Sequence, residues 1–503
     1  VALLIINAPY PRPSKFFGQP TSVLYAAAQL VPWYEKRYSV PPHFINFNSW
    51  HFDRYLADGR DFLIRFIQKH NPRIVAISTT SAAWSEARAL AAIAKDEGVP
   101  FVIFGGPHED DIFPKTVEVD ANIDISVSGD GETPFYRLTR LILENRIESL
   151  SDLEKYRSIW TCRDQAFGKF TVQLRGYKTD YISSRSLARC LDELPQMPRH
   201  LMAEREKYHY PIFQWRDGTI KRCAQVMTQR GCIAKCEFCS ESQRLDTRSA
   251  ESIISELRQI KQQGYEAIFF DDSTFTNLSL PRKEFLQRLC DALDEIGLEW
   301  GCQTRVDSIN LKISKMLKRA GCTYVYFGIE TAESQFLKRL GKKYSIEKMD
   351  NALENCRKAG LRVGASLILG TPDENHTSLE SIESATKTFE YVRNYVEKGP
   401  IVLVSINFYG YYPGTIATLK YESTQDKLSP ESWETEQGRD AYPFSLLEEF
   451  PARMPKGLIE IGPELLILAE KLLGNVLIGS DHYTESAIIP IEVPKNDLHL
   501  LNQ

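Results

Sequence analysis

Nowhere in this 503-residue chain does an apolar run reach the roughly 18 residues that a membrane-spanning helix needs. Excess positive charge is missing as well. The 61 Lys and Arg are outnumbered by 66 Asp and Glu, giving a net charge of −5. No global basic field therefore draws the chain to nucleic acid. The apolar opening VALLIINAPYP has no cationic segment before it and no small-residue cleavage site after it. It reads as a buried first strand rather than a signal peptide, and the expected location is the cytoplasm. Fixed-period repeats and low-complexity segments are also absent. Ten cysteines are present without a secretory signal, which argues against a disulfide framework and favours metal-binding or catalytic thiols. Seven of them, Cys162, Cys190, Cys223, Cys290, Cys302, Cys322 and Cys356, are scattered, and no two stand at C-x-x-C spacing. Hydrophobic residues make up 43% of the chain, enough for packed cores, and the length suggests about two to four domains.

Residues 1–140 alternate short apolar runs (ALLIINAP, HFINFN, RIVAIST, PFVIFGG, DISVSG) with helical stretches such as DFLIRFIQKH and WSEARALAAIAKDEG. That alternation predicts βαβ units: a Rossmann-like, doubly wound parallel sheet with helices on both faces. Ligands of such sheets sit at the carboxyl ends of the strands. Those ends carry Asn7-Ala8-Pro9-Tyr10, Ser78-Thr79-Thr80, Gly105-Gly106-Pro107-His108 and Gly129-Asp130-Gly131-Glu132, small and turn-forming residues that suit a shallow crevice. Regularity is lost over 141–215, where Pro195 and Pro198 suggest an extended linker. Over 216–425 the alternation resumes with a longer period: AQVMTQ, AIFFDDS, EWGCQTR, YVYFGIE, GASLILG and VSINFYG, with helices between them that end at glycines. Six such repeats predict a (β/α)6-type partial barrel with its chemistry at the carboxyl ends of the strands. Residues 426–503 hold one helical pattern, GPELLILAEKLLG, and are expected to form a small C-terminal cap or an oligomer element.

The densest chemical motif is Gly231-Cys232-Ile233-Ala234-Lys235-Cys236-Glu237-Phe238-Cys239, a C-x3-C-x2-C spacing. Three thiolates in eight residues can reach one iron–sulfur cluster from a single loop. A 4Fe–4S cube held by three cysteines leaves one iron without a protein ligand, open to a chelating small molecule. Three packing thiols, or a zinc site missing a ligand, are the plain alternatives. The motif follows the strand QVMTQRG, opens a βα series and has an aromatic before its last cysteine, and this context favours the cluster.

With these features the stretch 216–425 resembles the radical S-adenosylmethionine (SAM) superfamily. The resemblance implies a 4Fe–4S cluster on Cys232, Cys236 and Cys239, SAM bound to the open iron, and its reductive cleavage to a 5′-deoxyadenosyl radical. It places Phe238 beside the adenine. Phe270-Asp271-Asp272-Ser273 stands where many members carry a Gly-Gly-Glu that contacts the methionine amino group, so Asp271, Asp272 and Ser273 are candidates for that contact. Arg305 is the candidate for the SAM carboxylate, Glu330 for the ribose or amino group, and Leu369 and Gly370 for a backbone cradle of the adenine. Tyr411-Tyr412-Pro413-Gly414-Thr415 matches a Pro-Gly-Thr turn after the sixth strand.

Residues 1–140 resemble the cobalamin-binding domain that precedes the barrel in one large subfamily. The matching pieces are INAPYP, a helix start at Pro20, VAISTTS, FGGPH and SGDGE. The cobalamin contacts this implies are Pro9, Tyr10, Ser78, Thr79, Thr80, Gly105, Gly106, Pro107, Gly129, Gly131 and Glu132. The Asp-x-His-x-x-Gly cobalt-ligating motif is missing, and His108 does not fit it. The first reading is a cobalamin-dependent radical SAM methyltransferase acting on an unactivated carbon of a small molecule, supplied with electrons by an external flavodoxin or ferredoxin. The second is a non-methylating radical enzyme (dehydratase, dehydrogenase, epimerase, cyclase or ring-contracting), with Cys302 or Cys322 as a spare hydrogen donor. The third, a cobalamin or iron–sulfur sensor, has no helix-turn-helix, basic stripe or coiled coil to support it.

Overall fold

The computed structural model describes residues 2–9, 21–47, 55–111, 116–156, 169–177, 180–183, 191–203, 221–241, 245–276, 280–374, 379–412, 414–424, 454–474 and 477–478. Two seven-stranded sheets organise them. In the first, β1 (Leu3–Asn7), β2 (His43–Asn46), β3 (Ile74–Ser78), β4 (Phe101–Gly105) and β5 (Ile125–Gly129) run parallel in the order β2-β1-β3-β4-β5. The order reverses between β1 and β3, which is where doubly wound sheets open a crevice. Alternate residues of each strand feed two separate cores. Leu3 and Ile5 pack with helices Thr21–Ala27, Leu30–Tyr38 and Glu132–Leu143. Leu4 and Ile6 pack with Arg60–His70 and Trp84–Asp96. Burial on both faces explains the near-continuous apolar runs.

The stretch 141–215 is not wholly a linker. From it, β6 (Lys169–Leu174) and β7 (Asp180–Ser183) extend the first sheet beyond β5, both antiparallel. Their alternating mixture of apolar and polar residues belongs to edge strands, and the sequence reading missed it for lack of the longer apolar runs found in β1 to β5.

The second sheet contains β8 (Cys223–Val226), β11 (Ala267–Phe270), β12 (Glu299–Thr304), β13 (Cys322–Glu330), β14 (Arg362–Leu369) and β15 (Ile401–Phe408), each parallel to the next. Between β8 and β11 lies a small antiparallel pair, β9 (Gln229–Arg230) and β10 (Asp246–Thr247). Among the described residues β8 and β16 (Leu477–Ile478) are the two edges, so the barrel is open. The described part of the C-terminal stretch continues its wall: β16 pairs parallel with β15, and helix Leu458–Leu473 packs on helix Ile382–Glu397. Ser249, Asn310, Ser345 and Ser381 cap the barrel helices by accepting a backbone N–H three residues on. Gly264, Gly297, Gly321 and Gly360 end them at φ between 68° and 88°. Inside the barrel Phe269 and Tyr324 fill the space left by Gly301 and Gly364, so one end is plugged. No helix among the described residues is long and apolar enough to cross a membrane.

The two sheets are joined by a buried polar seam. Glu256 accepts hydrogen bonds from Arg199 at 2.6 Å and Arg248 at 2.5 Å, and the Met227 N–H donates to the Tyr25 hydroxyl at 3.1 Å. Burial raises the Tyr25 hydroxyl to about 12, so it stays a neutral acceptor there.

Candidate functional site

β8 ends by turning into β9, and the turn is held from beneath by Asp272. Its carboxylate accepts from the Thr228 N–H (2.8 Å), the Thr228 hydroxyl (2.5 Å) and the Gln229 N–H (3.1 Å). Burial raises its pKa in spite of these donors. Gly231 follows at φ 81°, a left-handed turn that suits glycine, and the cysteine loop begins. The three thiols are free. Backbone N–H groups two residues on aim at two of them: Ala234 at Cys232 Sγ and Glu241 at Cys239 Sγ, both 3.4 Å. The Thr274 hydroxyl lies 3.4 Å from Cys232 Sγ, and Arg305 Nη1 lies 3.9 Å from Cys236 Sγ. The Cys239 thiol is pushed up to about 11, first by desolvation of a sulfur in a residue whose surface is exposed as a whole, then by the Cys236 and Cys232 thiols. Among the described residues no three His, Cys, Asp or Glu side chains converge on a single metal ion. Thiolates that ligate separate irons of a cube need not converge in that way. N–H donors and a guanidinium around the sulfurs suit a group that carries negative charge.

The loop is clamped on both sides. Glu237 N–H donates to Leu340 O at 3.0 Å, and Ala417 N–H to Glu237 O at 2.9 Å. A Cβ on Gly341 would lie 2.7 Å from Lys235 O and 3.3 Å from Cys236 Cα, so two backbones meet there. Phe238 packs against Leu340, Ile368 and Tyr409 and enters a barrel cavity of about 290 Å³ with Glu330, Gln303, Tyr326, Ser366, Asn407 and Tyr412. Glu330 sits at a register shift in β13 with φ 64°, a conformation uncommon outside glycine. Lys342 Nζ binds it at 2.7 Å and lies 5.4 Å from the Phe238 ring centre. Burial works against the Lys342 charge, but Glu330 and Tyr344 hold its pKa above the usual value.

Phe238 and Glu330 therefore share the cavity, and the other SAM candidates are placed around it differently. Asp272 is spent on the β8–β9 turn. Ser273 donates to Glu241 at 2.5 Å, and Asp271 faces another cavity, described below. Arg305 gives its other nitrogens to Asp307, at 2.9 and 2.8 Å. Leu369 is fully buried, and its carbonyl accepts from Tyr409 N–H. Gly370 donates to Glu380 at 3.2 Å and lies under Leu458. Cys302 and Cys322 lie fully buried in the outer barrel core, and burial raises the Cys302 thiol well above its ordinary value. Neither lines the cavity, which removes their sequence-based candidacy as hydrogen donors.

A second cleft, of about 300 Å³, opens between the first sheet and helices Thr21–Ala27 and Glu132–Leu143. Ile5, Ala76, Ile103, Val127 and Phe135 give it an apolar depth. Ser78, Gly105, Gly106, Pro107, Gly129, Gly131 and Glu132 line it, as the sequence suggested, whereas Pro9, Thr79 and Thr80 do not. Tyr10 lies outside the described residues. A Cβ on Gly106, at φ 100°, would meet Thr79 O at 2.7 Å and Ser78 Oγ at 2.8 Å, so only glycine keeps this wall open. His108 is not free for such a cleft: it is buried, stacked on Trp84 at 4.5 Å and 3.1 Å from Ser81 Oγ.

Met227, Arg230 and Asp271 complete the cleft from the barrel side. Arg230, two residues before Cys232, binds Asp130 at 3.1 Å and also Glu132. The sequence reading missed Arg230 and Lys342. Arg230 finds its carboxylates about a hundred residues away, and no local pattern announces such a pair.

The Radical SAM superfamily pattern matches residues 226–385. An uncharacterized methyltransferase of Pyrococcus horikoshii is 31% identical over 336 residues, which is 65% of this chain and 67% of that protein. Cytidylyl-2-hydroxyethylphosphonate methyltransferase of Streptomyces wedmorensis is 26% identical over 364 residues, 67% of this chain and 66% of its own length. Among solved structures, the radical SAM methyltransferase TsrM of Kitasatospora setae, with cobalamin and a [4Fe-4S] cluster bound, superposes with a TM-score of 0.56. It covers 84% of this chain and 75% of its own at 16% identity, a likeness of fold.

Proposed function

Because this chain belongs to the radical SAM superfamily, we propose that its two neighbouring cavities serve one reaction, the cobalamin-dependent methylation of an unactivated carbon in a small molecule. The observation that carries this reading is the Arg230 bridge. It ties the Asp130–Glu132 loop of the N-terminal cleft to the residue before the cysteine loop, so the two sites stand together. When bound, a reduced cluster supplies an electron to the sulfonium of SAM, and a corrin supplies a carrier for a methyl group.

The chain's own residues do the rest. Cys232, Cys236 and Cys239 would hold the cluster, with Thr274, Arg305 and the Ala234 and Glu241 N–H groups supporting their sulfurs. Phe238 offers a ring face to the adenine, and Glu330, oriented by Lys342, offers acceptors to the ribose or amino group. Arg305 must release part of its fork from Asp307 to grip the SAM carboxylate. Ile368 lines this cavity, and Leu369 and Gly370 would stand behind it without reaching the adenine. Gly105, Gly106, Gly129 and Gly131 leave room for a corrin and its tail, which the apolar depth of the cleft suits. Closing both groups into one water-poor space favours reaction of a carbon radical with the methyl donor over side reactions.

The test is anaerobic reconstitution, titration with hydroxocobalamin, and turnover of candidate small molecules with SAM carrying a trideuterated methyl. The expected product gains three deuterons, with one 5′-deoxyadenosine and one S-adenosylhomocysteine per turnover. Turnover that continues without corrin and yields no S-adenosylhomocysteine would establish the non-methylating reading instead.

A further inference from the structure

The loop behind the cysteine motif carries a lysine-lined depression that nothing above uses. It lies between helix Ser334–Arg339 and helix Ile346–Ala359, and Lys338, Lys342, Lys343 and Lys348 line it with Tyr344. No carboxylate is among its lining residues, although Glu347 neighbours it in sequence. Lys338, Lys343 and Lys348 are exposed and make no ion pair among the described residues. Lys342 turns inward to Glu330. Lysines gathered in one depression stand out in a chain whose net charge is −5.

Its position gives it meaning. Gly341 lies against the backbone of Lys235, Cys236 and Glu237, and Lys343 is two residues on, at most about 7 Å along the chain. Tyr344, in the wall of the depression, lies 5.5 Å from the Arg305 guanidinium, which in turn stands 3.9 Å from Cys236 Sγ. The lysines thus stand close to the cysteine loop.

We infer that this lysine face is the docking surface for an acidic electron-carrier protein of the flavodoxin or ferredoxin kind. The inference rests on the radical SAM reading, which requires one electron from outside for each SAM cleaved. The carrier gives up that electron and leaves oxidised, and no other co-reactant is needed. The net negative charge of the chain repels an acidic protein and this lysine face attracts it, so charge favours docking beside the cysteine loop.

The test pairs wild type with the triple charge reversal Lys338→Glu, Lys343→Glu and Lys348→Glu, none of which touches the cavities. Binding of a purified acidic flavodoxin is measured by calorimetry or interferometry at low and high salt. In parallel, 5′-deoxyadenosine formation is driven either by that flavodoxin, kept reduced, or by dithionite, which needs no docking. Wild-type binding should weaken with salt. The reversed variant should lose about tenfold or more in affinity and in flavodoxin-driven rate, yet match wild type with dithionite. Equal flavodoxin binding by both proteins overturns the inference. So does saturable binding of inorganic phosphate by wild type with none of flavodoxin, which would make the depression a small-anion site. Failure of wild type to cleave SAM even with dithionite would count against the radical reading itself, a result separate from the other two.

Discussion

Arg230→Met puts the coupling of the two cavities to a direct test. Arg230 holds Asp130 and Glu132 at once, and the Glu132 side chain is only 3% exposed. Stripping the cation from a buried ion pair costs about 3–5 kcal/mol, because the remaining charge is left desolvated. Glu132 opens the helix Glu132–Leu143, and the positive end of the helix returns roughly 0.3–1 kcal/mol to it. The net expectation is about 2–4.7 kcal/mol. Global unfolding of a chain with two large sheets is not a single transition, so the assay should be local. Hydrogen–deuterium exchange of peptides covering 129–135 and 228–232, in the apo protein, reports opening of this seam. Exchange should speed up about 30- to 2,000-fold. The double variant Arg230→Met with Glu132→Gln should recover part of that loss, since a neutral amide no longer needs the cation. Exchange unchanged within about twofold, or confined to one of the two peptides, would refute the idea that Arg230 ties the sites together.

Glu380 offers a pH test. Burial raises its carboxyl from 4.5 to about 7, so the folded state favours the protonated form. Its contribution is fully present below pH 4.5 and is lost as pH rises through 7, amounting to about 3.5 kcal/mol at about 1.4 kcal/mol per pH unit. Glu380→Gln, which keeps an acceptor for Gly370 N–H, should match wild type at pH 4.5 and exceed it at pH 8 in hydrogen–deuterium exchange protection of peptides covering 362–371 and 380–390; a constant gap across that range would contradict the argument. Gly106→Ala should lose about 1–3 kcal/mol to overpacking and about 1 kcal/mol to its left-handed backbone, and hydroxocobalamin affinity should drop with it; absorbance titration that finds unchanged affinity would remove Gly106 from the corrin wall. Arg305→Met should weaken SAM binding by about 1.5–3 kcal/mol with normal iron content; loss of iron at full SAM affinity would make Arg305 a support of the cysteine loop alone.

What the sequence made legible follows from the range of each signal. β1 to β5 and the six barrel strands carry apolar runs, and the barrel helices between them close at Gly264, Gly297, Gly321 and Gly360, which stand at positive φ where the pattern placed them. β6 and β7 were missed because an edge pair needs no strong run. At the site, Cys232, Cys236 and Cys239 fall within eight residues, so spacing alone brings them to one loop. Asp271, Asp272 and Ser273 were read as one group because they are neighbours, yet successive side chains leave the chain in different directions. One faces the N-terminal cleft, one is consumed by the turn at Thr228, and one binds Glu241. Glu330 was found by position, but the Lys342 that orients it comes from the next loop, and Arg230 meets its partners across the domain seam. Ligands of a cluster can be local because one loop can surround it. Residues that join two cavities cannot be, because the partners belong to different sheets, and their pairing exists only once both sheets have formed.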